Sequence, residues 1–180
     1  MESVGMSVNV SAKQLADVGF VARLEATLRE HRVDPSRLHL EMTEGVAAAD
    51  PKLTATILSH LKQLRVGVVL DDFGIGNSSI SGLRQFPIEA LKIDRLLVGG
   101  MLADRGTCET VELIILLAHK LKLKVIAEGI ESGRQLDNLS ALGCELGQGV
   151  FFSPPVEAKA AEQLLRQPTS VLNAKVAGAQ

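Results

Sequence analysis

Short apolar, β-rich runs alternate with stretches of helical spacing six times along this chain, and that alternation limits the fold more than any other feature. The first run is Met6–Val10, and helical spacing follows through Phe20, Leu24 and Leu28. Asp34-Pro35 marks a turn before the second run, Leu38–Met42. Asp50-Pro51 reads as an N-cap with proline at the first helical position, and Leu53, Ile57, Leu61 and Leu64 then recur at the period that buries one face. The third run, Val68–Leu70, enters Asp71-Asp72 and a glycine-rich loop, Gly74-Ile75-Gly76. A short helix through Ile80 and Leu83, capped by Ser78 or Ser79, is expected next. Ala90–Ile93, Lys124–Ala127 and Gln148–Phe152 complete the set of strands. A long helix from about Thr107 to Leu121 joins the fourth run to the fifth. Another, capped by Ser132, carries Leu136, Leu139 and Leu142 and stops at Gly143. Pro154-Pro155 breaks the last run, Val156–Leu165 is the closing helix, and residues 167–180 are expected to form a flexible tail behind a single domain over 1–166.

Strands alternating with helices specify an α/β protein with a parallel sheet. A complete (β/α)8 barrel takes roughly 250 residues, with about 200 near the lower limit, whereas this chain has 180. Six units fit an incomplete (β/α)8 TIM-type barrel whose first strands are missing, and they also fit an open six-stranded sheet. The rhythm alone does not choose between them.

Composition removes several classes of partner. A net charge of −2 supplies no broad basic field, and five Phe with no Trp or Tyr leave little on which to stack a row of bases. A nucleic-acid polymer is therefore not expected as a partner. The most apolar stretch, Leu113–Ala118, is far short of a membrane span, and Met1 to Asn9 does not read as a signal peptide. Cys108 and Cys144 have no zinc-ligand spacing and are read as buried thiols of a reducing cytoplasm. The four histidines, His31, His39, His60 and His119, are scattered and are read as surface or satisfied residues.

What ends each strand is more telling. The apolar runs finish in Asn9, Glu41, Asp71 with Asp72, Lys92, Glu128 and Gln148. The C-terminal ends of parallel strands converge on one face, where sites form. One polar residue there is an ordinary cap; a polar residue at every strand end is hard to assign to packing. Asn9, Glu41, Asp71, Asp72 and Glu128 offer only oxygen ligands, the preference of Mg2+ and Mn2+ over zinc. Carboxylates gathered on one face repel each other, and two neighbouring cations relieve that repulsion in a manner suited to phosphodiester hydrolysis. Lys92 fits beside them as a donor to water or phosphate; a buried salt bridge to a carboxylate is its bland alternative. The Gly74-Ile75-Gly76 turn lacks the full spacing of a phosphate cradle, so a site loop is the better reading.

Six segments together resemble the EAL domain of cyclic-di-GMP phosphodiesterases: Val8-Asn9-Val10-Ser11, Leu40-Glu41-Met42-Thr43-Glu44, Asp71-Asp72-Phe73-Gly74, Leu91-Lys92-Ile93-Asp94-Arg95, Ala127-Glu128-Gly129-Ile130-Glu131 and Gln148-Gly149. They occur in the family's order from residue 6 to about 166. The resemblance implies a (β/α)8-like barrel that linearises cyclic-di-GMP to pGpG with magnesium or manganese. Position by position, Asn9, Glu41 and Asp71 look like ligands of a first metal and Asp72 of a second. Glu128 resembles the glutamate that serves the metal and the attacking water. Lys92 resembles the lysine that positions water and phosphate, and Gln148 the glutamine that closes the site. Glu44 looks like the anchor of the loop after the aspartate pair, while Asp94 and Glu131 look like substrate-side or supporting partners.

Two departures qualify the expectation. The family's Glu-Ala-Leu strand should precede Asn9, and only Met1 to Val8 stand there. Ile75 occupies a position where the family usually has threonine, and Asn77 one where it often has an aromatic. Low activity in the isolated chain follows as an expectation, as does pairing of the open barrel edges with a second copy or a complementing chain. A module that binds cyclic-di-GMP or a protein without hydrolysis is the alternative function. An unrelated six-stranded binding protein is a third reading.

Overall fold

The computed structural model describes residues 4–75, 83 and 86–166. Local capping sets where its elements begin. After strand β1 (Met6–Asn9), the Ser11 hydroxyl accepts from Gln14 N while the Gln14 side chain accepts from Ser11 N. This reciprocal cap starts the one-turn helix α1 (Ala12–Leu15). Helix α2 (Phe20–Glu30) turns Leu24 and Leu28 toward the core. Strand β2 (Leu38–Thr43) runs directly into α3 (Glu44–Ala49). Asp50 then caps α4 (Pro51–Gln63) by accepting from Leu53 N at 3.1 Å.

The buried face of α4 is Thr54, Ile57, Leu58 and Leu61. Leu53, expected in that stripe, is 39% exposed, because a helix that starts at Pro51 leaves it on the stripe's edge in the first turn. Strand β3 (Gly67–Phe73) leads through the loop to β4 (Ala90–Ile93). Asp94 caps helix α5 (Arg95–Gly100), which the spacing argument did not anticipate; Gly99 and Gly100 dilute its helical pattern. Helix α6 (Arg105–Lys120) buries Val111, Ile114, Ile115 and Ala118 and delivers β5 (Lys124–Glu128). Ser132 and Gln135 form a second reciprocal cap for α7 (Gly133–Ala141), and Gly143, at φ +88°, takes the left-handed turn that ends it. Strand β6 (Leu146–Gln148) and helix α8 (Ala158–Leu165) follow.

The last strand thus lies earlier than the sequence suggested: Gln148 ends it rather than beginning it, and Phe151 and Phe152 lie in a turn. The cause is a close backbone crossing. Ile130 N donates to Gln148 O and Phe151 N to Ile130 O, both at 3.0 Å. A Cβ at Gly149 would stand 2.1 Å from Ile130 O, so only glycine fits the crossing. Cys108 and Cys144 are free and half-buried rather than fully buried. Of the helix expected through Ile80 and Leu83, Leu83 is helical and buried; Ile80, Ser78, Ser79 and the tail at 167–180 lie outside the described residues.

The strands form one parallel sheet in the order β1-β2-β3-β4-β5-β6. Each strand pairs with its neighbour in sequence, and crossovers between parallel strands are right-handed, so successive helices fall on the same side. A doubly wound sheet would reverse its order partway. The result is an incomplete TIM barrel, curled with helices outside, which excludes the flat open sheet. Leu40, Met42, Val68, Leu70, Leu91, Ile93, Val125 and Ala127 face outward from the strands into the main core, against Leu58, Leu61, Val98, Val111 and Ile115 of the helices. Alternate strand residues, Val69 and Ala90 among them, face the barrel interior outside that core.

Candidate active site at the strand ends

Strand register determines which polar side chains meet. Glu41 pairs with Val69 and Thr43 with Asp71, so Glu41 and Asp71 share the inner face, two residues apart along the sheet. Lys92 pairs with Ile126, and Glu128 lies two residues beyond Ile126, which brings both onto the same face. Their heads converge. Lys92 Nζ donates to Glu41 Oε2 at 2.8 Å and stands 3.6 Å from Asp71 Oδ1 and 3.7 Å from Glu128 Oε2. One ammonium therefore sits among carboxylates from three other strands. Only 5% of the Lys92 side chain and 7% of the Glu41 side chain reach solvent, so charges held this deep must compensate one another.

Asp71 and Asp72 are consecutive, and in a regular strand they would point to opposite faces. The β3–β4 register shifts between Leu70 and Phe73, and Asp72 adopts φ +56°, in the left-handed region that side chains rarely occupy. Asp72 N donates to Asp71 Oδ1 at 2.9 Å. The bulge turns both carboxylates toward the same mouth: one oxygen each from Asp71, Asp72 and Glu128 lies within 4.8 Å of the others. Local strain at Asp72 is the structural means by which two adjacent residues serve one site.

The electrostatics follow from this crowding. Burial pushes the Glu128 carboxyl above the usual glutamate range; Lys92 pulls it back, and Asp71, Asp72 and Asp94 push it further up. Burial also raises Asp72, reinforced by the charges of Asp71 and Asp94 and a hydrogen bond with Asp94, with Lys92 opposing. For Lys92, burial favours loss of the proton, but its hydrogen bond to Glu41 and the charges of Asp71, Glu41 and Glu128 prevail and raise its pKa. The mouth is a strongly acidic cluster with Lys92 as the single internal cation among the described residues. Its oxygen-only donor set suits a hard divalent ion.

The remaining predicted residues surround this cluster at different distances. Asn9 ends β1 in register with Glu41, on an exposed strand. Asp94 is buried and caps α5 through Leu96 N at 2.7 Å. Gln148 ends β6 in register with Glu128. Glu44 is half-buried at the first position of α3, while most of the loop it was expected to anchor lies outside the described residues. Glu131 and Gln148 share a cavity of about 460 Å3 with Arg95, Glu128, Pro154 and Pro155. Sequence reasoning did not single out Arg95. The signal was present: it stands just past the polar end of β4.

The family described as EAL domain matches residues 1–155. MucR of Pseudomonas aeruginosa, a bifunctional diguanylate cyclase/cyclic di-GMP phosphodiesterase, is 39% identical over 160 residues, covering 89% of this chain and 23% of MucR. The cyclic di-GMP phosphodiesterase NbdA of the same organism is 37% identical over 165 residues, covering 92% of this chain and 21% of NbdA. The chain thus spans less than a quarter of the length of either relative. The solved structure of the MucR phosphodiesterase in complex with c-di-GMP superimposes with a TM-score of 0.83 at 37% identity, covering 87% of this chain and 64% of that one.

Proposed function

The chain belongs to the EAL domain family, and from that membership we propose that its barrel mouth hydrolyses cyclic-di-GMP to linear pGpG. The observation that carries the reading is the convergence of Glu41, Asp71 and Glu128 on Lys92 Nζ, within 2.8 to 3.7 Å, from four different strands. A purely structural ion pair needs one carboxylate, and the excess of negative charge points to cations.

The residues fit a divalent ion. Asp71, Asp72 and Glu128 already present oxygens within 4.8 Å of one another, and Asn9 and Glu41 add oxygen donors from the neighbouring strands. Magnesium or manganese held there would supply charge neutralisation at the scissile phosphate and would lower the pKa of water nearby. The chain's own groups do the rest. Lys92 Nζ donates to a phosphate oxygen and steadies the charge that develops on it. The Glu128 carboxylate accepts a proton from the attacking water. Water adds to phosphorus, the bond to one ribose 3′ oxygen breaks, and that oxygen leaves with a proton. Gln148, Asp94 and Glu131 border the substrate side, and Glu44 supports the loop after the aspartate pair.

A second reading, binding without turnover, is favoured by one observation: β1, which carries Asn9, is exposed at all four residues and has a strand on only one side among the described residues. The opposite edge, β6, is exposed as well. On this reading the open edges take a second copy or a complementing chain. Among the described residues no helix is long and apolar enough to cross a membrane. A cytoplasmic setting, where free thiols persist, goes with either reading.

The test is incubation with cyclic-di-GMP and manganese, followed by chromatography for pGpG. Product that disappears in Glu128→Ala supports hydrolysis, and retained ligand without product supports the second reading. Neither product nor retained ligand would overturn both.

A further inference from the structure

We propose that the face of the barrel opposite the acidic mouth docks on an anionic bilayer surface, through cations placed on the turns that lead from helices into strands.

Four of those turns share one backbone frame. After α2, α4, α6 and α7, a residue in the left-handed region lets the next N–H reach back into the helix. Val33 N donates to Leu28 O, Val66 N to Leu61 O, Leu123 N to Ala118 O and Cys144 N to Leu139 O, at 2.9 to 3.0 Å. Glycine is the residue such a turn favours, because a Cβ is crowded at positive φ. Of the four turns, only the one after α7 has it, at Gly143. The other three carry Arg32 at φ +54°, Arg65 at φ +63° and Lys122 at φ +61°, all exposed. Three cations thus stand where the backbone itself prefers no side chain. The helix macrodipole rewards a cation nearby, but the last turns of the same helices already hold Arg29, Lys62 and Lys120.

The fold sorts these charges onto one side. Helices deliver the chain to the N-terminal ends of the strands, whereas Glu41, Asp71, Lys92 and Glu128 lie toward the C-terminal ends. His39 pairs with Gly67, so Arg37 and Arg65, each two residues earlier, are neighbours across the sheet. Lys122 and Lys124 enter β5, two strands from β3. Connections 29–37, 62–66 and 119–124 hold eight Lys and Arg against Glu30 and Asp34. Glu89 and Glu145 stand on neighbouring turns, beside His39 and His119. A surplus of four positive charges remains on these turns, in a chain whose net charge is −2. Among the described residues, none of Arg32, Arg37, Arg65, Lys122 and Lys124 is in an ion pair.

A bilayer is the partner this layout suits. The cations are spread over successive turns, and lipid headgroups that diffuse sideways meet each of them separately. Val33, next to Arg32 and 44% exposed, offers an apolar side chain to the headgroup layer. The three connections contain no aromatic residue on which nucleic-acid bases would stack. The carboxylates of the mouth are repelled by the same anionic surface, so the docked barrel turns its mouth to the water.

Vesicle flotation tests this, because aggregated protein does not float. Phosphatidylcholine vesicles with about a third phosphatidylserine should carry the protein upward at low salt and release it as salt rises, whereas pure phosphatidylcholine should not. Arg32→Gly, Arg65→Gly and Lys122→Gly combined remove three charges and give each turn the residue it favours, so this variant should melt no lower than the wild type. Its partition onto the anionic vesicles should fall on the order of 100-fold. Arg32→Lys with Arg65→Lys keeps the charges and should float as the wild type does. Wild-type protein that floats with neither vesicle, or equally with both, would overturn the proposal. So would a triple-glycine variant that floats undiminished. Tighter binding of polyuridylate or poly-glutamate than of the anionic vesicles, at the same salt, would assign the face to another partner and overturn it too. None of these outcomes bears on hydrolysis at the mouth.

Discussion

Lys92 Nζ on β4 bonds Glu41 Oε2 on β2 at 2.8 Å, reaching across the intervening β3 and past Asp71, which lies 3.6 Å away. Two strands that share no ladder are thus joined through their side chains inside the barrel. Removing the cation leaves at least two carboxylates facing each other where little water reaches them. Lys92→Met is expected to destabilise the fold by about 3–5 kcal/mol at neutral pH, the usual effect of orphaning a buried charge. Urea denaturation measures it, and a change within about 0.5 kcal/mol, typical of surface substitutions, would contradict the pairing. The sign of the pH dependence is fixed: the folded pKa of Lys92 lies above its ordinary value of 10.5, so its contribution is complete below that pH and fades as pH rises through the folded value. The difference between wild type and Lys92→Met should therefore shrink in strong alkali.

The acidic cluster carries the opposite sign at neutral pH. Burial raises both Glu128 and Asp72, so whatever they contribute is complete only below their ordinary values, 4.5 and 3.8, and is lost as pH climbs through the raised folded values. Ionised at pH 7, each costs stability. Millimolar manganese is expected to raise the melting temperature, by more at pH 7.5 than at pH 5. Asp72→Asn should melt higher than wild type without metal and gain less when metal is added. Scanning fluorimetry with an external dye reads this directly; a metal response insensitive to both pH and Asp72 would place the cation elsewhere.

At Gly149 the prediction concerns the backbone. A methyl group there meets Ile130 O at 2.1 Å, and both hydrogen bonds linking Ile130 to the β6 turn must lengthen. Gly149→Ala is expected to cost at least about 1–3 kcal/mol and to displace Gln148 from its place beside Glu128. Circular dichroism melts and the affinity for cyclic-di-GMP should fall together. Loss of neither would mean that the crossing yields easily.

Both ends of the sheet expose apolar residues: Met6 is 66% and Val8 43% exposed on β1, and Leu146 is 47% exposed on β6. Edges that lack a further strand among the described residues and carry such side chains favour strand addition. Association is expected in light scattering at micromolar concentration, and Val8→Lys together with Leu146→Lys should suppress it. A wild-type chain that stays monomeric across that range would remove the edges as pairing sites.

Much of this was legible in advance because two simple periods coincide. Polar residues close the apolar runs at Glu41, Lys92 and Glu128, and the parallel register carries that pattern onto one face. The alternation of strand and helix alone did not separate a barrel from an open sheet; the resemblance to the EAL family pointed to the incomplete barrel, and the sequential pairing of strands bears it out. Nor did the run Gln148–Phe152 reveal itself as a turn. Its apolar residues mimic a strand, and the contact that bends it, Gly149 against Ile130, lies 19 positions apart in sequence. The bulge at Asp72 was equally hidden, because a left-handed aspartate looks like any other aspartate in a sequence. Arg95 was overlooked although its place just past the polar end of β4 was readable.

Pairing each strand with its predecessor has a consequence for synthesis. The order in which the ribosome releases the chain is the order in which the sheet can be assembled, with no strand waiting for a distant one to arrive. That order allows Glu41, Asp71 and Lys92 to meet once β4 has emerged, before the segment bearing Glu128 is made. Sequential pairing allows the buried cation to be in place early, and the last acidic group then joins a cluster that already holds more carboxylates than cations.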